Sequence, residues 1–185
     1  MKVRPTKIAG VSIVDGPRFR DHRGSFARLY CERELSDLLG ERRVVQVNLS
    51  RTAEVGAVRG LHAQRAPYAE MKLVRCLRGR VWDVTVDARR GSPTFLAWHA
   101  EELSAHNNRM VVVPEGCAHG FQALEPDSEL LYLHTAFYTP EAELGIRVDD
   151  ARLGIRWPLP MSDLSDRDRH HPLLADDFAG IQIAS

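Results

Sequence analysis

The stretch RGLHAQRAPYAEMKLVR, residues 59–75, decides how the rest of the chain is read. It places His62 and Glu70 on neighbouring strand segments, as one half of a metal site would. The second imidazole of such a site is missing, because Gln64 stands in its place. The segment runs on into KLVRCL (72–77) and RVWDVTVDA (80–88), where alternating side chains predict strands. Lys72, Val74 and Cys76 then share one face. Trp82, Val84 and Val86 make a natural core face against a second sheet, and the opposite face, bearing Asp83, is solvent or the polar lumen of a barrel.

Further strands are predicted at VVQVNLS (44–50), FLAWHA (95–100), RMVVVP (109–114), GFQAL (120–124) and ELLYLHTAFY (129–138). Helical patterns are few: CERELSDLLG (31–40), ending on Gly40, and a short one over 172–179. Many strands of similar length separated by turn signals predict an all-β jelly-roll barrel with a few short helices. No repeat or linker divides the chain, so residues 1–185 read as a single domain. Its core spans about 8–175, and a loop-rich tail from about 158 wraps back over the barrel.

The composition suits such a domain. The 185 residues suffice for one core. Basic and acidic residues number 25 each, which argues against binding dominated by nucleic-acid phosphates. No apolar run approaches a membrane span, and the N-terminus lacks a secretory pattern. Cys31, Cys76 and Cys117 have no metal spacing and read as reduced core thiols in a cytoplasmic protein. Only Lys2, Lys7 and Lys72 are lysines. A lysine retained inside so arginine-rich a chain points to a need for a compact ammonium.

The spacing His62-x-Gln64, then Glu70, then PEGCAHG with His119, resembles a cupin barrel's metal motifs with one imidazole of three removed. A neutral amide is a poor ligand for divalent transition metals, so no metal is expected. Free histidines are instead available for proton chemistry.

RGLH (59–62), KLVRCLRGRVWDVTVD (72–87), SPTFLAW (92–98), VPEGCAHGFQAL (113–124), FYTPEAELGI (137–146) and WPLPMSDLSDRDRHHPLL (157–174) follow one another in order. Together they closely resemble the dTDP-4-dehydrorhamnose 3,5-epimerase family, from about residue 8 to 175. The resemblance implies a cofactor-independent isomerase that inverts C3, C5 or both in a nucleotide-linked 4-keto-6-deoxyhexose. The simplest substrate is dTDP-4-dehydro-6-deoxy-D-glucose, within deoxysugar biosynthesis. It also implies roles. His62 matches the base, Asp168 the carboxylate that orients it, Lys72 the cation beside the C4 oxygen, and Tyr132 the acid on the opposite face. His119 matches a substrate-binding position, with Asp83 our candidate for orienting it.

On the nucleotide side, Arg23 and Arg59 match diphosphate contacts, Tyr138 matches the aromatic that stacks on the base, and Gln46, Asn48, Glu143 and Arg167 match further substrate contacts. Three positions depart from the family's habit. Arg167 replaces a frequent lysine, Phe137 a second tyrosine, and Arg28 a glutamate that contacts the nucleotide. The reversed charge at Arg28 motivates the nearest alternative, a single-centre epimerase or one using another nucleotide carrier. The farther alternative is a non-catalytic sugar-nucleotide-binding or metal-dependent cupin. Family members are usually homodimers, and exchange of an N-terminal strand with the partner is expected. The His170–His171 pair reads as no part of a ligand set.

Overall fold

The computed structural model describes residues 1–183. In chain order its strands are β1 (Lys2–Pro5), β2 (Ser12–Asp15), β3 (Arg18–Asp21), β4 (Gly24–Ala27), β5 (Gln46–Thr52), β6 (Val58–Gln64), β7 (Lys72–Arg78), β8 (Arg80–Asp87), β9 (Trp98–Ser104), β10 (Arg109–Val113), β11 (Cys117–Ala123), β12 (Ser128–His134) and β13 (Glu143–Gly145). Two short α-helices accompany them, α1 (Ser36–Leu39) and α2 (Asp166–Arg169). Six strands form one antiparallel sheet in the order β1-β2-β10-β7-β12-β5. Five form a second, in the order β13-β6-β11-β8-β9, and β3 and β4 make a separate hairpin. Two facing sheets of this kind are the expected jelly-roll barrel.

Three apolar clusters explain the layering. One fills the barrel between the sheets, from Val74 and Cys76 on β7, Val111 and Val113 on β10, Val81 on β8 and Phe121 on β11. A second lies outside the six-stranded sheet, where Leu35 and Leu39 cover Leu73, Met110 and Val112. The third lies outside the five-stranded sheet and corrects the sequence reading. Trp82, Val84 and Val86 do not face a second sheet; they pack with Val148, Leu153, Trp157, Phe178 and Ile181 of the C-terminal segment. Full burial of each such aliphatic side chain is worth roughly 1.5–3 kcal/mol, enough to hold the tail on the barrel. Asp83 and Thr85 on the opposite face are buried in the lumen.

Element boundaries also differ from expectation, among them the strand read at 129–138, which ends at His134, and the helix read at 31–40, which is α-helical only over Ser36–Leu39. The strand read at 95–100 runs Trp98–Ser104, because residues 92–97 are spent on turns closed by Phe95 N–H to Ser92 O and Ala97 N–H to Thr94 O. The helix read over 172–179 is not formed. A four-residue helix lies earlier, at Asp166–Arg169, started by the Ser165 hydroxyl accepting from Asp168 N–H. That shift places Asp168 where it matters. Among the described residues, no helix is long and apolar enough to cross a membrane.

Candidate active site

A cleft of about 700 Å³ opens between the sheets, with Phe121 of the apolar cluster inside the barrel on its wall. Strand alternation aims one polar side chain after another into it. His62 from β6 and His119 from β11 are cross-strand partners in the five-stranded sheet. Lys72 from β7, Tyr132 and His134 from β12 and Asn48 from β5 come from the facing sheet. β6 and β11 approach closely here because neither carries a side chain at Gly60 or Gly120. A Cβ on Gly60 would stand 2.6 Å from Gly120 Cα, and its φ of +127° already favours glycine.

His62 is oriented by Asp168. His62 Nε2 donates to Asp168 Oδ1 at 2.8 Å, and Gly60 N–H donates to Oδ2 at 3.1 Å. Burial by itself would raise the Asp168 pKa. The hydrogen bond and charge of His62, the Gly60 amide and nearby Arg167 outweigh it and hold the carboxyl down at about 2. An ionised Asp168 keeps the proton on Nε2 and leaves the lone pair on Nδ1, the nitrogen free to accept a proton.

Lys72 is held among acceptors. Its Nζ lies 3.2 Å from Glu70 Oε1 and donates to the His62 carbonyl at 3.3 Å. The other Glu70 oxygen accepts from His134 Nδ1 at 2.7 Å. Burial raises the Glu70 pKa, but His134 and Lys72 more than reverse this, so Glu70 is ionised. His134 stacks on Tyr132 at 6.0 Å between ring centroids, and His119 meets the same ring edge-on at 5.9 Å. Tyr132 lines the cleft, and burial pushes its phenol well above the ordinary value. Asp83 Oδ2 accepts from His119 Nε2 at 2.7 Å, the partnership expected from the sequence.

At the mouth, Tyr138 OH donates to Glu143 Oε2 at 3.2 Å, and Arg167 Nη1 donates to the same oxygen at 3.0 Å. Gln46 accepts from Tyr138 N–H at 3.1 Å and so fixes the aromatic from behind. Arg59 Nε donates to Thr52 Oγ1 at 2.9 Å beside Asn48 on the cleft wall. The structure therefore brings together His62, Lys72, Tyr132, Asp168, Asn48, Arg59, His119, Tyr138, Glu143 and Arg167. Arg23 and Arg28 stay outside the cleft of their own chain. Arg23 caps the β3–β4 hairpin and pairs with Asp21, and Arg28 pairs with Glu34.

Three residues have roles the sequence reading did not assign. Gln64 is a clamp: its amide nitrogen donates to Tyr68 O and Phe137 O, and its oxygen accepts from Thr139 N–H at 2.7 Å. The position where a cupin would ligate metal here ties down the loop that carries Tyr138. His134 was legible in ELLYLH as the same-face neighbour of Tyr132. His171 corrects the reading of the histidine pair. His170 bonds the Asp166 carbonyl at the surface, but His171 meets His62 edge-on at 5.5 Å and lies 3.4 Å from Asp168.

The two facing sheets, with a cleft lined by histidines, carboxylates and a lysine between them, define a cupin-like jelly-roll barrel. Residues 5–176 match the family model described as dTDP-4-dehydrorhamnose 3,5-epimerase. The chain is 40% identical over 177 residues to the dTDP-4-dehydrorhamnose 3,5-epimerase of Sinorhizobium fredii, covering 95% of this chain and 91% of that one. It superposes on the Bacillus anthracis enzyme of that name, crystallised with TDP and PPi bound, with a TM-score of 0.90, 39% identity and coverage of 94% and 99%. A 3'-monoepimerase from Streptomyces bikiniensis in complex with dTDP-quinovose superposes with a TM-score of 0.86, 34% identity and coverage of 91% and 86%. The chain belongs to the dTDP-4-dehydrorhamnose 3,5-epimerase family and is a carbohydrate epimerase, an isomerase acting on nucleotide-linked sugars.

Proposed function

We propose that the protein inverts C3 and C5 of dTDP-4-dehydro-6-deoxy-D-glucose, giving dTDP-4-dehydro-L-rhamnose. The observation that carries this reading is that His62 and Tyr132 stand on opposite sheets of one cleft, with Lys72 on β7, the strand beside that of Tyr132, reaching across to the His62 carbonyl. Both carbons are alpha to the C4 ketone. His62 Nδ1 removes the proton from one face, and Asp168 stabilises the imidazolium that results. The Lys72 ammonium takes the charge that develops on the C4 oxygen. Tyr132, kept neutral by its surroundings, delivers a proton to the opposite face; it then takes a proton from solvent while the His62 imidazolium gives one up to solvent, and both groups are reset. Each inversion moves one proton off and one on, and no redox partner or organic cofactor is used.

Tyr138 and its neighbour Phe137, both exposed at the mouth, supply a stacking platform for the base, and Arg59 serves the diphosphate. Arg23 and Arg28 would contact the nucleotide of a second copy. A homodimer is supported by Val47 and Leu49, 56% and 60% exposed along the edge strand β5, and by Phe19 and Phe26, 63% and 70% exposed on the hairpin that carries Arg23. The protein works in the cytoplasm on this reading, where its free cysteines stay reduced.

Proton NMR with the dTDP-linked 4-ketosugar in deuterated water tests the proposal. Deuterium at both C3 and C5 is expected, with rhamno-configured product. Deuterium at one carbon alone would make this a single-centre epimerase, a reading that the similarity to a 3'-monoepimerase keeps open. No exchange with the dTDP sugar but turnover of a CDP- or GDP-linked one would move the carrier and implicate Arg28.

A further inference from the structure

At the base, His171 joins His62 and Asp168 in a convergence of donor atoms, and the proton chemistry gives His171 no part. One nitrogen each from His62 and His171 and an oxygen of Asp168 lie within 4.8 Å of one another. His62 Nε2 is 2.8 Å, and His171 Nε2 3.4 Å, from the same Asp168 Oδ1. In a tetrahedral zinc site with bonds of about 2.0–2.2 Å, ligand atoms stand roughly 3.3 Å apart, so movements within an ångström or so complete the geometry.

His171 is held there by shape. A Cβ at Gly145 would lie 2.0 Å from the His171 ring, so the ring occupies space that only a glycine on β13 leaves free. Its Nε2 is buried and has no hydrogen-bond partner among the described residues. Buried polar nitrogens are seldom left so, and one aimed at a carboxylate and a second imidazole has a ligand's position. Among the described residues, the cation against the cluster is Arg167, whose Nε lies 3.6 Å from Asp168 Oδ1 and whose Nη2 lies 3.5 Å from His62 Nε2. It is more than half exposed and already paired with Glu143, so it has room to withdraw.

We propose that His62, Asp168 and His171 bind a divalent transition-metal ion of the zinc type, and that the ion switches the base off. Two imidazoles and one carboxylate favour zinc over magnesium, with a water at the fourth position. The metal takes the Nε2 lone pair of His62, so the proton on that nitrogen moves through solvent to Nδ1. The ring stays neutral and no proton is released. Nδ1 then carries a hydrogen and cannot accept one from substrate. The inhibitory half of this proposal rests on His62 being the base; the binding half does not.

Isothermal titration of the substrate-free protein with zinc chloride tests the site directly. We expect one ion per chain at the cluster, at least about tenfold weaker binding in both His171→Asn and His171→Gln, and unchanged binding in His170→Asn. Nitrogen-15 NMR of the histidine rings in the unmodified protein needs no variant. It should show the His62 proton pass from Nε2 to Nδ1 on zinc saturation, and magnesium should do nothing. Equal affinity across the His171 variants, or an unmoved His62 proton at saturation, overturns the site. In turnover, zinc should lower kcat with KM nearly steady. A cluster saturated with zinc and undiminished turnover would overturn the switch, and with it His62 as the base, while leaving the metal site standing.

Discussion

His62 on β6 and Asp168 on α2 are 106 residues apart in sequence and joined by a 2.8 Å hydrogen bond. The bond exists because the C-terminal segment is held on the barrel by the apolar cluster around Trp157 and Ile181, which brings α2 to the mouth of the cleft.

Replacing Asp168 by Asn removes the charge that fixes the His62 tautomer. In steady-state kinetics we expect kcat to fall within the roughly 10²–10⁴-fold that a positioned acid–base group supplies, with KM little changed. The carboxyl also ties stability to pH. Its folded pKa of about 2 lies below the unfolded value near 4, so its contribution is fully present above about pH 4. It is lost as pH falls from about 4 to 2. Acid unfolding followed by circular dichroism should show this limb, on the order of 2 kcal/mol, and Asp168→Asn should flatten it.

Tyr132→Phe should separate exchange from inversion. His62 still removes a proton and returns it to the same face, so deuterium wash-in persists while inverted product falls by about 10²-fold or more. Equal loss of both would show that Tyr132 is not the opposite-face acid.

Glu70→Gln leaves the Lys72 ammonium in a buried site without its counter-charge, while the new amide keeps a partner for His134. Breaking one side of a buried pair costs about 3–5 kcal/mol. We expect a lower melting temperature and a reduced kcat in steady-state kinetics. The double variant Glu70→Gln/Lys72→Met should recover much of the stability and none of the activity.

Gln64→His restores the cupin-like histidine to the sequence without restoring a metal site. It breaks up to three hydrogen bonds that tie the Tyr138 loop, each worth about 1 kcal/mol net. We expect a loss of about 2 kcal/mol in denaturant unfolding, a raised KM, and no zinc affinity gained at residue 64 by titration.

The sequence by itself determined that this is a β-rich jelly-roll, because period-two alternation and closely spaced turn signals are local properties of strands. It also marked out His62, Lys72, Tyr132 and Asp168 as a set, because their motifs follow in order along one chain, and the structure gathers them at one cleft. What covers each face of a strand is not local. Alternation separated Trp82, Val84 and Val86 from Asp83, but only tertiary packing decided that the apolar side meets the C-terminal segment and the polar side lines the lumen. For the same reason the tertiary structure decided that Gln64 clamps a loop and that Arg23 and Arg28 lie outside their own cleft. It also turned one of two adjacent histidines inward. His170 and His171 are identical in sequence terms, and a glycine 26 residues earlier makes room for the second.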